Sequence, residues 1–441
     1  MVKKYHEIRD PICNFIRLDI NERNILDSQP FQRLRNITQL ATTYLIYPSA
    51  THKRFEHSLG TLELATRVFD VITNPDNVYH DQIRDALKTE DLHIWRKTLR
   101  AAALCHDIGH FPFSHAAEEL LPEGKTHETF TLKLILDSEI SNILKDKLKL
   151  QPKDVAKLAL KPKDYQKEDK TIEYSNFEAI MSEIITGDAF GVDRMDYLLR
   201  DSYHAGVAYG KFDQYRLIDT LRILPKSENE SEPTLGIEEG GIHSAEAFCL
   251  ARYYMFSQLY LHSVRRVYDL HLVDFLKKWL QGGKFQNDLE AHIRLTDNEV
   301  SAALLKAAKD NSESAHEEAK RLVYRKHFKK VYEVSKQDLE KNIDALQVLY
   351  ENLINQYGVE NIKKDNYGKK GGKLEFPVLD DDSNKIKNST DVSDILCNTP
   401  DLTTNFIFAN PEIKDEVKKY IEENKNSILE NKITELKEDN N

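Results

Sequence analysis

The stretch AAALCHDIGHFPFSH, residues 101–115, constrains this chain more than any other. Ala101, Ala102, Ala103, Leu104 and Cys105 form an apolar run without a β-branched residue, which predicts a buried helix. His106, Asp107, His110 and His115 follow directly. On the helix reading, His106 and His110 share one face, and Pro112 bends or ends the helix and re-aims Ser114 and His115. Burying three imidazoles and a carboxylate costs several kcal/mol unless each finds a partner, and a metal ion supplies one. The competing reading is a set of hydrogen-bonded core histidines.

The rest of the chain limits what such a cluster can serve. The N-terminal MVKKYHEIRDPICNF has neither an apolar core nor a cleavage signature, so no secretory signal is expected. No apolar stretch reaches the length needed to cross a bilayer, so no membrane association is expected. Cys13, Cys105, Cys249 and Cys397 lack CxxC spacing, which argues against zinc ribbons and disulfide frameworks and for a reducing, cytoplasmic setting. A net charge of −11 over 441 residues argues against a broad nucleic-acid-binding surface. A small anionic substrate held by a few local Arg and Lys residues plus a cation remains compatible with it.

Periodicity predicts a mainly α fold. Residues 1–26 read as a strand or turn lead-in. Asp27-Ser28-Gln29-Pro30 signals a helix start, and FQRLRNITQL would carry Phe31, Leu34, Ile37 and Leu40 on one face. Residues 41–56 read as a loop, followed by a helix through Phe69. Residues 79–105 and 113–160 read as successive amphipathic helices, and 161–173 as charged and exposed. VDRMDYLLRDSYHAGV places Asp193, Tyr197 and Asp201 on one helix face. Residues 221–237 read as a hairpin with a mobile tip, and a long helical region spans about 243–281. KKDNYGKKGGK, residues 363–373, has the composition of a flexible linker. Beyond it, KLEFPVL and NFIFA read as strands and PEIKDEVKKYIEEN as a Pro-initiated helix, with the last residues frayed. The expected division is a core over 1–330 and a helical, then α+β, appendage over 331–441.

His57, His106, Asp107 and Asp193 stand out as candidate ligands, each beside a helical run. Two imidazoles and two carboxylates suit Mn²⁺, Fe²⁺, Ni²⁺, Zn²⁺ or Mg²⁺ with positions left open, whereas a closed structural zinc site normally uses thiolates. The H…HD…D pattern resembles the HD-domain phosphohydrolase superfamily. The words FQRLRNITQL, RFEHSLGTLELA, ALCHDIGHFPFSH, THE, VDRMDYLLRDSYHAG and RRVYDLH narrow it. Over about residues 5–330 they resemble the HD-domain deoxynucleoside triphosphate triphosphohydrolases, both bacterial enzymes and the vertebrate restriction factor that joins a sterile-alpha-motif to an HD domain.

The resemblance implies an HD-domain helical core with a short β-hairpin, and roles for individual residues. His57, His106, Asp107 and Asp193 would be the metal ligands, and a second Mg²⁺ would accompany the triphosphate. His110, His115 and His127 match histidines around the α-phosphate. His115 would protonate the leaving 5′-oxygen, Glu118 would hold His115 in one tautomer, and Glu128 would lie beside the attacking water. Arg54 and Arg194 match triphosphate-binding positions, although the restriction factor has Lys at the latter. Tyr197 and Asp201 match sugar contacts. Gln39 would join Asp201 on a 3′-hydroxyl, and Leu40 would wall off a ribose 2′-hydroxyl. Asp27, Gln32 and Arg35 match positions that bind an activating guanine nucleotide, dGTP or GTP, at the subunit interface of a dimer or tetramer.

The function implied is cleavage of a deoxynucleoside triphosphate to deoxynucleoside and tripolyphosphate. Two others compete with it: HD-type phosphatase or phosphodiesterase action on nucleoside monophosphates or cyclic nucleotides, and non-catalytic nucleotide binding. Arg54, Arg194, Tyr197 and Asp201 exceed what a monophosphate needs. Binding alone would not need His115 with Glu118.

Overall fold

The computed structural model describes residues 5–227, 230–369 and 374–438, with the side chains of His115, Ser231, Lys369 and residues 431–438 outside the description. The chain is mainly helical, 60% of it, with small β-sheets. It forms two compact units. The first comprises Met1–Met255, Lys284–Val300 and Lys373–Thr399, and the second comprises Phe256–Gly283, Ser301–Gly372 and Pro400–Asn441.

The first unit is built around the helix Arg54–Ile72, which buries Leu59, Leu62, Ala65, Val68 and Phe69. It packs against the helices Leu92–Cys105 and Val192–Ala205. Gly60 lets the last of these approach. A Cβ there would lie 1.9 Å from Asp196 Oδ1 and 2.3 Å from Arg200 Nη2. Gly60→Ala is therefore expected to destabilise the first unit by roughly 1–3 kcal/mol, seen as a lowered midpoint in thermal denaturation. Ahead of these helices, strands Tyr5–Asp10 and Asn14–Asp19 pair antiparallel, so the lead-in is a hairpin. Strands Leu221–Ser227 and Glu230–Glu238 form the expected second hairpin and extend into a four-stranded sheet with Pro377–Leu379 and Ile386–Asn388. Its tip, residues 228–229, lies outside the described residues.

Several local expectations need correction. The apolar helix ends at Cys105 with His106 as its C-cap, so His106 and His110 do not share a helix face and Pro112 lies beyond the helix. His110 sits in a turn in which Gly109 packs against the backbone of His127 and Thr131. Residues 31–40 form only a short α-turn, Gln29–Gln32, then a 3₁₀ turn, Arg33–Asn36. Thr38 instead bridges to Lys53 in extended conformation. The charged segment 161–173 contains the helix Pro162–Glu168, whose Tyr165 is buried.

In the second unit, strand Leu402–Ala409 lies between Lys329–Glu333 and Ile362–Lys369, antiparallel to both. Helices Ala345–Tyr357 and Lys414–Glu438 supply Leu349, Leu353, Val417 and Ile421 to a core that includes Ile407. The linker expected at 363–373 is thus strand as far as Lys369, and residues 370–373 lie outside the described residues. Composition misleads here because the charges are paired: Lys363 with Asp274 at 2.6 Å and Asp365 with Arg266 at 2.6 Å. KLEFPVL contributes only the strand Pro377–Leu379, and the helix after Pro411 begins at Lys414. Among the described residues, no helix is long and apolar enough to cross a membrane.

Candidate active site

His57 lies in the first turn of the helix Arg54–Ile72, His106 and Asp107 where the helix Leu92–Cys105 ends, and Asp193 in the first turn of Val192–Ala205. Three helix ends thus bring together residues from three stretches far apart in sequence. His57 Nε2 stands 3.0 Å from Asp193 Oδ1 and 3.6 Å from Asp107 Oδ2. His106 Nε2 stands 3.4 Å from Asp107 Oδ1 and 3.6 Å from Asp193 Oδ1. Ligand atoms held at ~2.1 Å from one ion stand roughly 3 to 4 Å apart, and these four imidazole–carboxylate separations fall in that range. Among the described residues, His57, His106 and Asp107 form a group whose ligand atoms all lie within 4.8 Å of one another; Asp193 stands outside that group but reaches both imidazoles.

Each imidazole is oriented from behind. His106 Nδ1 donates to the Ala103 carbonyl at 2.8 Å, which directs the Nε2 lone pair at the carboxylates, and that buried Nε2 makes no hydrogen bond of good geometry. His57 Nδ1 donates to Asp196 Oδ2 at 2.8 Å. Asp196 in turn accepts from Arg200 Nε and Nη2, both at 2.8 Å, and Arg200 Nη1 donates to Asp10 Oδ2 at 2.8 Å. Asp196, Arg200 and Asp10 are all buried. Burial disfavours a charged His57, but its hydrogen bonds to Asp193 and Asp196 outweigh this and push it up to about 10. Asp107 resists ionisation through burial, yet Arg54, His106 and His110 hold it well below the usual carboxylate range. Two ionised carboxylates thus face imidazoles that bind protons tightly, and a divalent ion held here would take the place of those protons.

The HD domain family matches residues 54–201, a span containing all four of these side chains, and its associated region matches 212–358. A hypothetical protein of Aquifex aeolicus has a crystal structure that superposes with a TM-score of 0.75 at 31% identity, covering 94% of this chain and 99% of that one. The chain belongs to the HD-domain family. A Methanocaldococcus jannaschii protein without an assigned function is 38% identical over 59% of this chain and 47% of its own length. The human deoxynucleoside triphosphate triphosphohydrolase SAMHD1 is 29% identical over 74% of this chain and 55% of its own length. The chain spans about half the length of these curated relatives.

Around these four side chains, this HD-domain protein arranges the other candidate residues in two groups. His110 Nε2 lies 3.3 Å from Asp107 Oδ1, and its ring stacks on His127 with centroids 3.9 Å apart. Burial, Arg54 and His127 keep His110 neutral. His127 Nδ1 bonds Glu118 at 2.5 Å, and Glu128 lies 3.4 Å from its Nε2. Glu118 is thus partnered by His127; the His115 side chain, its expected partner, lies outside the described residues. Burial opposes charge on His127, but Glu118 and Glu128 raise its affinity for a proton. Removing the anionic partner in Glu118→Gln is expected to make His127 lose its proton at lower pH, measured by ¹⁵N NMR titration of the imidazole. Arg54 pairs with Asp107 and donates from Nε to Ser114 Oγ at 2.8 Å. Phe113 and Ser114 have φ of 56° and 51°, consecutive left-handed residues that cost ~1–3 kcal/mol each.

The second group surrounds Asp201. His52 Nε2 bonds Asp201 Oδ1 at 2.7 Å, its ring stacks on His204 at 4.4 Å, and its carbonyl accepts from Gln39 N at 3.0 Å. Gln39 Oε1, His52 Nδ1 and His204 Nε2 are buried without hydrogen-bond partners among the described residues. Arg194 is turned to the Gly187 and Asp188 carbonyls of its own loop, and Tyr197 lies beside it. Leu40 is buried. Farther off, exposed Asp27 pairs with Arg23, and Gln32 accepts from Arg35 Nε at 3.0 Å while the Arg35 guanidinium lies 3.5 Å from the Phe55 ring centre.

Sequence reasoning missed Asp196, Arg200, Asp10 and His52. An Asp196–Arg200 pair at i, i+4 reads as an ordinary surface ion pair, and nothing along the chain links it to Asp10.

Proposed function

We propose that this chain hydrolyses deoxynucleoside triphosphates to the deoxynucleoside and tripolyphosphate, as the name of human SAMHD1 describes for that relative. The observation that carries this reading is the convergence of the His57, His106, Asp107 and Asp193 ligand atoms. When bound there, a divalent cation supplies Lewis acidity and a counter-charge for phosphoryl oxygens. Glu128, beside His127, takes the proton of the water that attacks the α-phosphorus. His127, kept protonated by Glu118, donates a hydrogen bond to the charge that builds up on the phosphoryl oxygens. As the P–O5′ bond breaks, His115 gives its proton to the leaving oxygen, and tripolyphosphate departs. Arg54 and Arg194 bind the β- and γ-phosphates, both swinging away from their present partners as the anion enters.

The unpaired atoms of Gln39, His52 and His204 fit a polar ligand beside Asp201, here the 3′-hydroxyl, with Tyr197 against the sugar and Leu40 leaving a 2′-hydroxyl unpaired. Activation by dGTP or GTP at Asp27, Gln32 and Arg35 in a homo-oligomer belongs to the same reading.

The test is product analysis with Mn²⁺ and each dNTP or rNTP, with and without added dGTP. Intact tripolyphosphate from dNTPs supports the proposal. Stepwise orthophosphate release supports phosphatase action, and tight binding without turnover supports a non-catalytic role. Activity that needs added dGTP and is lost in Arg35→Ala supports the activating site.

A further inference from the structure

The turn that follows the HD motif is left-handed at Phe113 and Ser114, where it enters the short 3₁₀ helix Ser114–Leu120. Its anchors come from a segment almost two hundred residues away. Asp297 Oδ1 accepts from Phe113 N at 2.8 Å, a pair separated by 184 residues. Asp297 Oδ2 accepts from Thr38 N at 2.7 Å and from Thr38 Oγ1 at 2.5 Å. Arg33 adds a parallel brace: its Nη1 donates to the His110 carbonyl at 2.7 Å and its Nε to the Leu295 carbonyl at 3.0 Å. All of these residues belong to the first unit, and Asp297, Arg33 and Thr38 are buried.

We infer that Asp297 is a positioning residue: its two carboxylate oxygens clamp the histidine-bearing turn 110–115 to Thr38, the residue next to Gln39 and Leu40. The inference rests on the reading of this site as a nucleotide hydrolase, because it says what the clamp is for. Left-handed conformations at two successive non-glycine residues relax unless surrounding bonds hold them. A carboxylate with three donors from two segments holds both at once, so Asp297, alongside the Arg33 brace, ties the Thr38 segment to the turn carrying His110 and His115. A small misplacement of reacting groups costs rate far more than affinity.

Asp297→Asn keeps the shape and turns one acceptor into an amide that opposes the N–H of Phe113 or Thr38. Hydrogen exchange is expected to quicken about tenfold or more at the Phe113 and Ser114 amides and to stay unchanged in the helix Leu92–Cys105. With Mn²⁺ and dGTP, kcat is expected to fall about tenfold to a hundredfold, KM to change much less, and the Mn²⁺ content per chain to match the wild type. Thr38→Val, which removes only the hydroxyl and serves should Asp297→Asn fail to fold, is expected to show the same pattern reduced to about twofold to fivefold. Unchanged exchange at Phe113 overturns the clamp. Quickened exchange with a wild-type kcat overturns its role in positioning. A wild-type chain that releases no tripolyphosphate from any dNTP, while the exchange result holds, overturns the hydrolase reading and leaves the clamp standing.

Discussion

Replacing Asp193 with Ala is expected to strip the divalent ion from the protein and to lower turnover about a thousandfold or more. The ion's stabilisation of transition-state charge amounts to several kcal/mol, and about 4 kcal/mol is a thousandfold in rate. Asp193 is the ligand of choice for this test because its side chain is 40% exposed, whereas those of His57 and Asp107 are buried at 0% and 9%. Its loss leaves the packing of Val192, Met195 and Leu198 in the same helix intact. Metal content by mass spectrometry, tripolyphosphate release and thermal midpoint together decide the matter. A variant that keeps one ion per chain removes Asp193 from the ligand set.

Replacing Arg200 with Ala is expected to destabilise the first unit by about 3–5 kcal/mol, because two buried carboxylates lose the guanidinium that joins them. Geometry alone would not foretell the size. Arg96 bonds Asp70 just as closely, at 2.7 and 2.9 Å, but both side chains are substantially exposed, and breaking that pair should cost under about 1 kcal/mol. Urea unfolding in a Trp279→Phe background lets Trp95, which packs edge-on against Phe177, report on the first unit alone. Equal effects of Arg200→Ala and Arg96→Ala would mean that solvent reaches the Asp10–Arg200–Asp196 relay.

How much of this was readable beforehand differs by residue. His57, His106, Asp107 and Asp193 could be picked out because each lies in an unusual word and their side chains suit one ion. The helical class followed from apolar spacing. The end of the helix at Cys105 was not readable, since Ala and Leu propensity says nothing of the close approach that Gly109 allows to His127 and Thr131. The strand Ile362–Lys369 hid behind a lysine- and glycine-rich composition, because its neutralising partners Arg266 and Asp274 lie nearly a hundred residues earlier. Asp297 carries no motif at all. Only its place beside Thr38 and Phe113 gives it meaning, and that place is tertiary.

The bond between Thr38 and Asp297 spans 259 residues of chain. A nascent polypeptide leaving the ribosome could therefore bury its helices and bring His57, His106, Asp107 and Asp193 together once Asp193 has emerged, yet still lack the brace on its histidine turn. Contacts of such long range close late and slowly. During synthesis, on the proposed function, competence to hold an ion should precede competence to cleave a nucleotide by the time needed to translate about another hundred codons.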